Sequence, residues 1–221
     1  MILYKGNTQY KVMHKREQRC VELKNNSPYF CEYIQSSGTQ YITIDDITKF
    51  TSSFEMSADL EIVSYGDSNQ PTFMCFFGVQ CYLRQGNNYD FRCWTSTGGN
   101  FTSSVICQLG RKYQVTYSIN SNSLRTIKID FGNTVSSSGS YVSNWPVNLF
   151  SWLQSGTTSN YAPSMKLYGC RIKRDGVLIR DLRPCSKNRE MLKPVGCLYD
   201  LITDKYYTNT GSGAFTLGPK L

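Results

Sequence analysis

Three carboxylates share one face of an apolar segment and could do acid–base chemistry. Between residues 54 and 62, the side chains Glu55, Asp59 and Glu61 alternate with apolar residues. Residues two or four apart on a strand point to the same side of a sheet. Hydrolysis of a glycosidic bond with retention needs two carboxyl groups about 5–5.5 Å apart. The chemistry that this segment offers is therefore that of a glycosidase.

The rest of the chain supports catalysis poorly. Its single histidine is His14, far from this segment, and it has no Gly-x-Ser-x-Gly sequence. Strict alternation of apolar and polar residues is typical of a strand with one face on a core and the other in water. We therefore favour the interpretation that the acids line a wet strand face, and we expect no enzymatic activity.

A loop rich in aromatic and amide side chains is the better candidate for a binding site. Exposed rings beside hydrogen-bonding groups suit carbohydrate, although the same rings could instead cap the end of a core. A second patch contains Arg92, Trp94 and Asn100. The candidate ligand-binding residues are Tyr141, Asn144, Trp145, Trp152, Asn160, Tyr161 and, from the second patch, Trp94.

No cofactor is predicted. Asp67, Asn69 and Asp90 lie in or beside turn-like sequence and could give oxygen ligands to a structural Ca²⁺. Their spacing is not diagnostic, and Asn and Asp in turns usually serve the turn itself.

The nine cysteines include no Cys-x-x-Cys pair, and many lie within strand-like apolar runs. We expect reduced thiols that behave as small core hydrophobes, with disulfides as the alternative. Metal binding is the least favoured role for these cysteines, because zinc sites need closely spaced Cys and His ligands.

The elements that must position these residues are strands. Short apolar runs alternate with Ser, Thr, Asn and Gly across 221 residues, which indicates a single large all-β domain with many turns. Strands are predicted over 40–44, 54–62, 73–79, 81–83, 89–94, 104–107, 113–119 and 124–129, with residues 134–164 as loop. Strand spacing alone leaves a sandwich and a barrel both open.

The net charge of +8 is concentrated in two segments. Residues 1–30 carry six basic against two acidic side chains, and residues 166–193 carry nine against three. Alternation of the second group with apolar residues predicts a solvated sheet face, and nucleic acid is an unlikely partner. The residues that alternate in this way are Lys166, Arg171, Lys173, Arg174, Arg180 and Arg183.

Residues 1–16 read as a small hairpin around Gly6 and Asn7, followed by a polar connector from 17 to 31. An isolated two-stranded hairpin is marginally stable in water, so this one should dock on a partner or on the main domain. No apolar run is long enough to span a bilayer, and no signal-peptide pattern is present.

Two blocks near the ends of the chain resemble the LamG-like, concanavalin A-like domains of phage virion proteins and gut-bacterial surface proteins. The closing block contains a strand, an Asp-Gly turn, a second strand and a Leu-Tyr-Asp tripeptide. Its matching residues are Arg171, Ile172, Asp175, Gly176, Leu178, Arg180, Asp181, Pro184, Cys185, Leu198, Tyr199, Asp200, Lys205, Tyr206, Tyr207, Asn209, Gly211, Gly213 and Phe215. The opening block matches at Glu32, Tyr33, Ile34, Ser36, Gly38, Thr39, Gln40, Tyr41 and Ile42.

The resemblance implies an all-β, two-sheet antiparallel jelly-roll sandwich over residues 32–221, with residues 1–31 as an N-terminal attachment segment. Hydrolases of this fold use a Glu-x-Asp-x-x-Glu strand, which the acids at 55, 59 and 61 do not match. A non-catalytic domain is expected.

The resemblance also implies a role on a particle surface. We expect a virion structural protein of a phage tail or capsid, whose jelly roll recognises host glycans and whose N-terminal segment binds other virion proteins. The alternatives are an architectural protein that joins virion subunits, and a carbohydrate-binding module on a bacterial surface. Self-association, as a trimer, is plausible for such proteins.

Overall fold

The structure is a computed structural model. It describes residues 2–5, 8–15, 18–24, 28–47, 53–65, 70–77, 79–84, 89–95, 99–120, 122–130, 132, 134–139, 146–154, 157–159, 164–187 and 194–221, with backbone only for 2–24, 104, 153–154 and 157–159. This part of the chain consists of strands and turns. No segment in it is a helix long and apolar enough to cross a membrane.

The residues that the structure describes form twenty-two strands. They are β1 (Ile2–Lys5), β2 (Thr8–Lys15), β3 (Gln18–Lys24), β4 (Tyr29–Phe30), β5 (Ile34–Gln35), β6 (Ile42–Ile44), β7 (Ser53–Ser64), β8 (Thr72–Phe76), β9 (Val79–Arg84), β10 (Asp90–Thr95), β11 (Gly99–Ile106), β12 (Lys112–Asn120), β13 (Leu124–Ile129), β14 (Val135–Ser138), β15 (Val147–Leu149), β16 (Trp152–Gln154), β17 (Thr157–Ser159), β18 (Ser164–Arg174), β19 (Val177–Ser186), β20 (Gly196–Asp200), β21 (Lys205–Thr208) and β22 (Thr216–Leu217).

Two antiparallel sheets make the sandwich. The larger sheet has the order β14-β13-β12-β7-β18-β19-β20-β21, with β4, β5 and β22 paired at its side. The smaller sheet has the order β11-β10-β9-β8-β15-β6. The N-terminal strands β1, β2 and β3 form a three-stranded sheet, and β16 and β17 form a short hairpin. The predicted two-sheet antiparallel sandwich is confirmed.

The core lies between the two large sheets and is built by alternation along the strands. On β7 the residues from Phe54 to Ile62 on the predicted apolar face are at most 2% exposed. Its neighbour β12 buries Tyr113, Val115, Tyr117 and Ile119 in the same way. Period-two alternation therefore gave the right buried face for both strands.

The opposite face of β7 carries its acids against the bases of β18. Lys173 Nζ lies 2.8 Å from Glu55 Oε1, and Lys166 Nζ lies 2.8 Å from Glu61 Oε1. The basic strands are therefore matched by acidic partners across the sheet. Arg180 departs from the predicted solvated face, because it is 9% exposed and turns inward.

The Asp-Gly hairpin forms where it was predicted, between β18 and β19. Asp175 and Gly176 have φ angles of 53° and 80°, the combination that a type I′ turn requires. The turn also docks on the start of β7, since the Ser53 N–H donates to Asp175 Oδ1 at 2.7 Å.

The opening and closing blocks, far apart in sequence, pack against each other. Asn209 Oδ1 accepts hydrogen bonds from the backbone N–H of Tyr41 at 3.1 Å and of Gly211 at 2.9 Å. The N–H of Thr210 donates to the carbonyl of Tyr41 at 2.8 Å. A Cβ atom on Gly211 would lie 2.2 Å from the carbonyl oxygen of Thr39, so only glycine permits this approach.

The Leu-Tyr-Asp motif owes its aspartate to the turn between β20 and β21. Asp200 is fully buried, and its carboxylate accepts hydrogen bonds from the N–H groups of Asp181 and Ile202 and from the Thr203 hydroxyl. Arg180 Nε lies 3.5 Å from it. The motif is therefore structural, because buried backbone donors need such an acceptor.

Arg180 also reaches a surface carboxylate. Its guanidinium lies 3.0 Å from Asp46, which also accepts hydrogen bonds from Lys205 at 3.0 Å and from the Tyr207 hydroxyl. Although burial acts to raise it, these donors lower the pKa of Asp46 from 3.8 to about 2. The network joins the segment after β6 to β19 and β21.

Besides Arg180, three features of the strand layout differ from the sequence predictions. The apolar run 73–79 is two strands rather than one, because the chain turns at Phe77, whose φ is 46°. Four short strands, β14 to β17, lie within the predicted loop 134–164. The predicted connector 17–31 contains β3, so the N-terminal hairpin has a third strand.

Arg125 of β13 is fully buried. Its guanidinium donates to Thr95 Oγ1 and to the carbonyl of Ser138, and it lies over the ring of Phe101 at 5.0 Å. Hydroxyl, carbonyl and aromatic partners thus compensate for the burial of its two terminal nitrogen atoms.

Gly211→Ala should destabilise the domain by about 2 kcal/mol or more, because the new methyl group overlaps a backbone atom that cannot move without opening the contact between the two blocks. Gly110→Ala is the matched control. Gly110 has a φ of 74° and open space around it, so the cost there is backbone strain of about 1 kcal/mol. Urea unfolding measures both, and a Gly211→Ala cost no larger than the control would refute the tight approach.

Asp46→Asn should change the acid limb of the stability curve. A carboxylate whose pKa falls on folding contributes stability that is present above its unfolded pKa and is lost as the pH falls toward about 2. The melting temperature of the wild type should exceed that of the variant at pH 5, and the difference should shrink between pH 4 and pH 2. Asp45→Asn, at the exposed neighbouring residue, serves as the control. A difference that stays constant across this range would contradict the network.

Candidate functional site

The outer face of the smaller sheet carries a continuous row of polar and aromatic residues. Strand register places Trp94 of β10 opposite Asn100 of β11 on one side and Gln80 of β9 on the other. The row continues through Cys75 of β8 to Asn148 of β15. A parallel row places Arg92 beside Tyr82 and Thr102.

Trp94 and Trp152 meet at this face. Their ring centroids are 5.9 Å apart and their planes cross at 77°, an edge-to-face contact. Both residues are partly exposed. Because Trp94 is on β10 and Trp152 is on β16, the fold brings together one residue from each of the two predicted aromatic patches.

Hydrogen-bonding groups with fixed positions border the two indoles. Arg92 makes a two-point ion pair with Asp90, with its Nε 2.7 Å from Oδ1 and its second guanidinium nitrogen 2.9 Å from Oδ2. This pairing raises the pKa of Arg92. The Tyr82 hydroxyl donates to Asn100 Oδ1 at 2.9 Å, which orients the exposed Asn100 amide.

The part of this face nearer β8 and β15 is buried, and its polar groups bond to one another. Gln80 donates to Thr72 Oγ1 at 2.7 Å, and Asn148 lies 3.3 Å from the hydroxyl of Ser151. These four residues are at most 1% exposed. Strand β16 lies against β8 and β15, so the open part of the face is the side formed by β10 and β11.

Of the predicted ligand-binding residues, the structure describes Trp94 and Trp152. The other five, Tyr141, Asn144, Trp145, Asn160 and Tyr161, lie outside the described residues. Sequence reasoning missed Tyr82 and Thr102, because their place beside Arg92 follows from strand register, which apolar alternation alone does not give.

Each acid of β7 accepts hydrogen bonds from a neighbouring strand. Lys173 donates to Glu55, Gln114 donates to Asp59, and Lys166 and Tyr168 donate to Glu61. Although burial opposes it, the bonds from Lys166 and Tyr168 lower the pKa of Glu61. A general acid needs the opposite shift.

Metal-binding side chains are not clustered in the part of the chain that the structure describes, where no group of three or more His, Cys, Asp or Glu residues could hold an ion. Of the turn residues considered for Ca²⁺, Asp90 lies in β10 and is paired with Arg92. Asp67 and Asn69 lie outside the described residues.

Comparison with known proteins identifies the fold. No family model matches the chain, and no curated protein matches it in sequence. The native heptameric SAP-like pentraxin of Limulus polyphemus superposes with a TM-score of 0.52 at 8% identity, covering 86% of this chain and 93% of the pentraxin. A protein of Bacteroides ovatus ATCC 8483, provisionally described as carbohydrate-binding, superposes with a TM-score of 0.55 at 14% identity, covering 98% of this chain and 70% of that one. The chain therefore has the concanavalin A-like jelly-roll fold that its opening and closing blocks predicted.

Proposed function

We propose that this jelly roll is a carbohydrate-binding module whose site is formed by Trp94 and Trp152 with Arg92 and Asn100 at its border. The observation that carries the proposal is the edge-to-face contact of two partly exposed tryptophans from distant parts of the chain. Large aromatic rings on a protein surface are enriched at binding sites, where they supply contact area at low entropic cost.

The geometry suits a pyranose ring. The C–H bonds on one face of a sugar form an apolar surface that packs on an indole, and its hydroxyl groups exchange hydrogen bonds with polar side chains around it. Arg92 is oriented by Asp90, and Asn100 by Tyr82, so both present directed groups beside the rings. Such preorganisation reduces the entropic cost of binding.

The charge balance favours a neutral sugar. The guanidinium of Arg92 is compensated by the carboxylate of Asp90, and both side chains are about one-fifth exposed. A site for an acidic sugar would gain from a cation without such a partner. We therefore infer a neutral hexose as the recognised unit.

The engaged state of Glu55, Asp59 and Glu61 supports binding without hydrolysis. These are the acids that the sequence offered for glycosidase chemistry, and each has a hydrogen-bonding partner on a neighbouring strand. The provisional description of the Bacteroides ovatus protein as carbohydrate-binding agrees with the proposal.

The location of the protein is inferred from the resemblance of its opening and closing blocks to domains of phage virion proteins. We infer a phage tail or capsid surface, with residues 1–31 attaching the jelly roll to other virion proteins. The N-terminal sheet β1-β2-β3 and the excess of basic residues in this segment support a separate attachment role. Particles purified with and without residues 1–31 on this chain would test it, since loss of the segment should abolish incorporation.

A glycan array followed by tryptophan fluorescence titration tests the site. Two of the three tryptophans of the chain lie in it, so a bound sugar should change the emission. Trp94→Ala and Trp152→Ala should each weaken binding by about tenfold or more, because each removes a ring that packs on the sugar.

The matched control is Tyr199→Ala, which removes a partly exposed ring from the larger sheet. Tyr199 packs against Tyr206 with ring centroids 4.9 Å apart and ring planes at 59°, on the other sheet from Trp94. It should leave affinity unchanged. Circular dichroism and melting temperature show whether each variant is folded. A folded Trp94→Ala protein with wild-type affinity, or an array without any bound glycan, would overturn the proposal.

A further inference from the structure

Two pairs of cysteines face each other directly across antiparallel strands. Cys81 on β9 is the partner of Cys93 on β10, and their sulfur atoms are 3.2 Å apart. Cys185 on β19 is the partner of Cys197 on β20, with sulfur atoms 3.3 Å apart. All four are buried free thiols in the structure.

The two pairs lie on different faces of their sheets, one facing the core and the other facing outward. Cys81 and Cys93 point into the core between the sheets and belong to its hydrophobic cluster. Cys185 and Cys197 lie outside that cluster, on the strand face that also carries Arg183 and Tyr199. The second pair is therefore under the outer surface of the larger sheet rather than in the sandwich core.

A cavity opens near the second pair. It has a volume of about 450 Å³ and is lined by Phe30, Cys31, Pro184 and Lys220 among others. Pro184 directly precedes Cys185, and Phe30 is the strand partner of Cys185 on the side away from Cys197. Cys185 and Cys197 are themselves fully buried, so Phe30 and Pro184 must move before an oxidant reaches the outer pair. Oxidation of the inner pair instead requires the core between the sheets to open.

The chemical surroundings of the two pairs also differ. Burial raises the pKa of the Cys81 thiol well above its usual value. The hydrogen bond that Cys197 shares with Cys185, and the positive charge of Lys187, lower the pKa of the Cys197 thiol although burial opposes them. Since the thiolate is the nucleophile in disulfide exchange, this difference supports oxidation of the outer pair.

We propose that Cys185 and Cys197 form a cross-strand disulfide in an oxidising environment, while Cys81 and Cys93 remain reduced in the folded protein. Directly opposed residues of antiparallel strands have Cα atoms about 4.5–5.5 Å apart, within the range that a disulfide spans. The sulfur atoms, already in contact, need only side-chain rotation to bond.

The reaction balances with oxidised glutathione as the oxidant. The thiolate of one member of the pair attacks one glutathione sulfur, forms a mixed disulfide and releases glutathione. The other thiol then loses its proton, attacks the protein sulfur of the mixed disulfide and releases the second glutathione. Two protein thiols are oxidised, and one glutathione disulfide is reduced to two thiols.

The bond would fasten β20, which carries Leu198, Tyr199 and Asp200, to β19. It would close the loop of residues 186–196, whose ends are already joined by the hydrogen bond from the N–H of Lys187 to the carbonyl of Val195 at 3.1 Å. Closing a loop of this length should raise the melting temperature by about 5–10 °C.

The test is a thiol map of the full chain. The reduced, folded protein is incubated with oxidised glutathione, then unfolded in denaturant with N-ethylmaleimide so that every remaining thiol is alkylated, digested and analysed by mass spectrometry. The expected product is one cross-linked peptide pair containing Cys185 and Cys197, with alkylated Cys81 and Cys93. Alkylated Cys185 and Cys197 after prolonged incubation, or a cross-link between Cys81 and Cys93 alone, would overturn the proposal.

Single variants test the intermediate. Cys185→Ser and Cys197→Ser should each trap it as a glutathione adduct on the remaining thiol of the pair. Cys93→Ala is the control and should leave the cross-link unchanged. The rise in melting temperature on oxidation should be present in Cys93→Ala and absent in Cys185→Ser. A cross-link that is lost in Cys93→Ala, or the absence of an adduct in both serine variants, would contradict the proposal.

Discussion

The contact between the opening and closing blocks is the interaction on which the rest of the domain depends. Residues near 40 meet residues near 210 through backbone hydrogen bonds, the side chain of Asn209 and the close approach of Gly211. Strand β22 adds a second pairing, to β5. A contact of this sequence separation carries a large loop-closure cost, and it joins the first strands of the jelly roll to its last ones.

The outer faces of the two sheets carry different kinds of side chains. On the larger sheet, the acids of β7 face the bases of β18, and these cross-strand pairs occupy the groups that a ligand or substrate would need. On the smaller sheet, polar residues under β16 bond to one another, and the open edge presents Trp94 beside Trp152. The described acids of β7 are therefore all paired, whereas the smaller sheet leaves two indole rings partly exposed.

The sequence predicted those strands and turns that depend on residues adjacent in the chain. Alternation fixed the buried faces of β7 and β12, and Asp175-Gly176 fixed a hairpin, because both depend on residues adjacent in sequence. The burial of Arg125 and the turn at Phe77 depend on tertiary contacts that alternation does not contain. Arg180 had the alternation of a surface residue and turned inward, because Asp200 and Asp46 lie there.

Only part of the candidate site could be predicted from the sequence, because its residues come from strands far apart in the chain. Aromatic and amide composition singled out Trp94 and Trp152 separately, since surface tryptophans are few and chemically distinctive. Their contact, and the place of Tyr82 beside Arg92, required the register of the smaller sheet and the return of the chain at β16. Composition therefore identifies the candidate residues, and strand register determines which of them lie side by side.

Sugar binding at the tryptophan pair is tested most directly by a nitrogen–proton correlation spectrum of the three indole groups during titration with the glycan selected on an array. If the sugar packs on this pair, the signals of Trp94 and Trp152 will shift together along one saturable binding curve. Saturable binding that leaves both signals unmoved would contradict it, because the sugar would then bind somewhere other than the tryptophan pair.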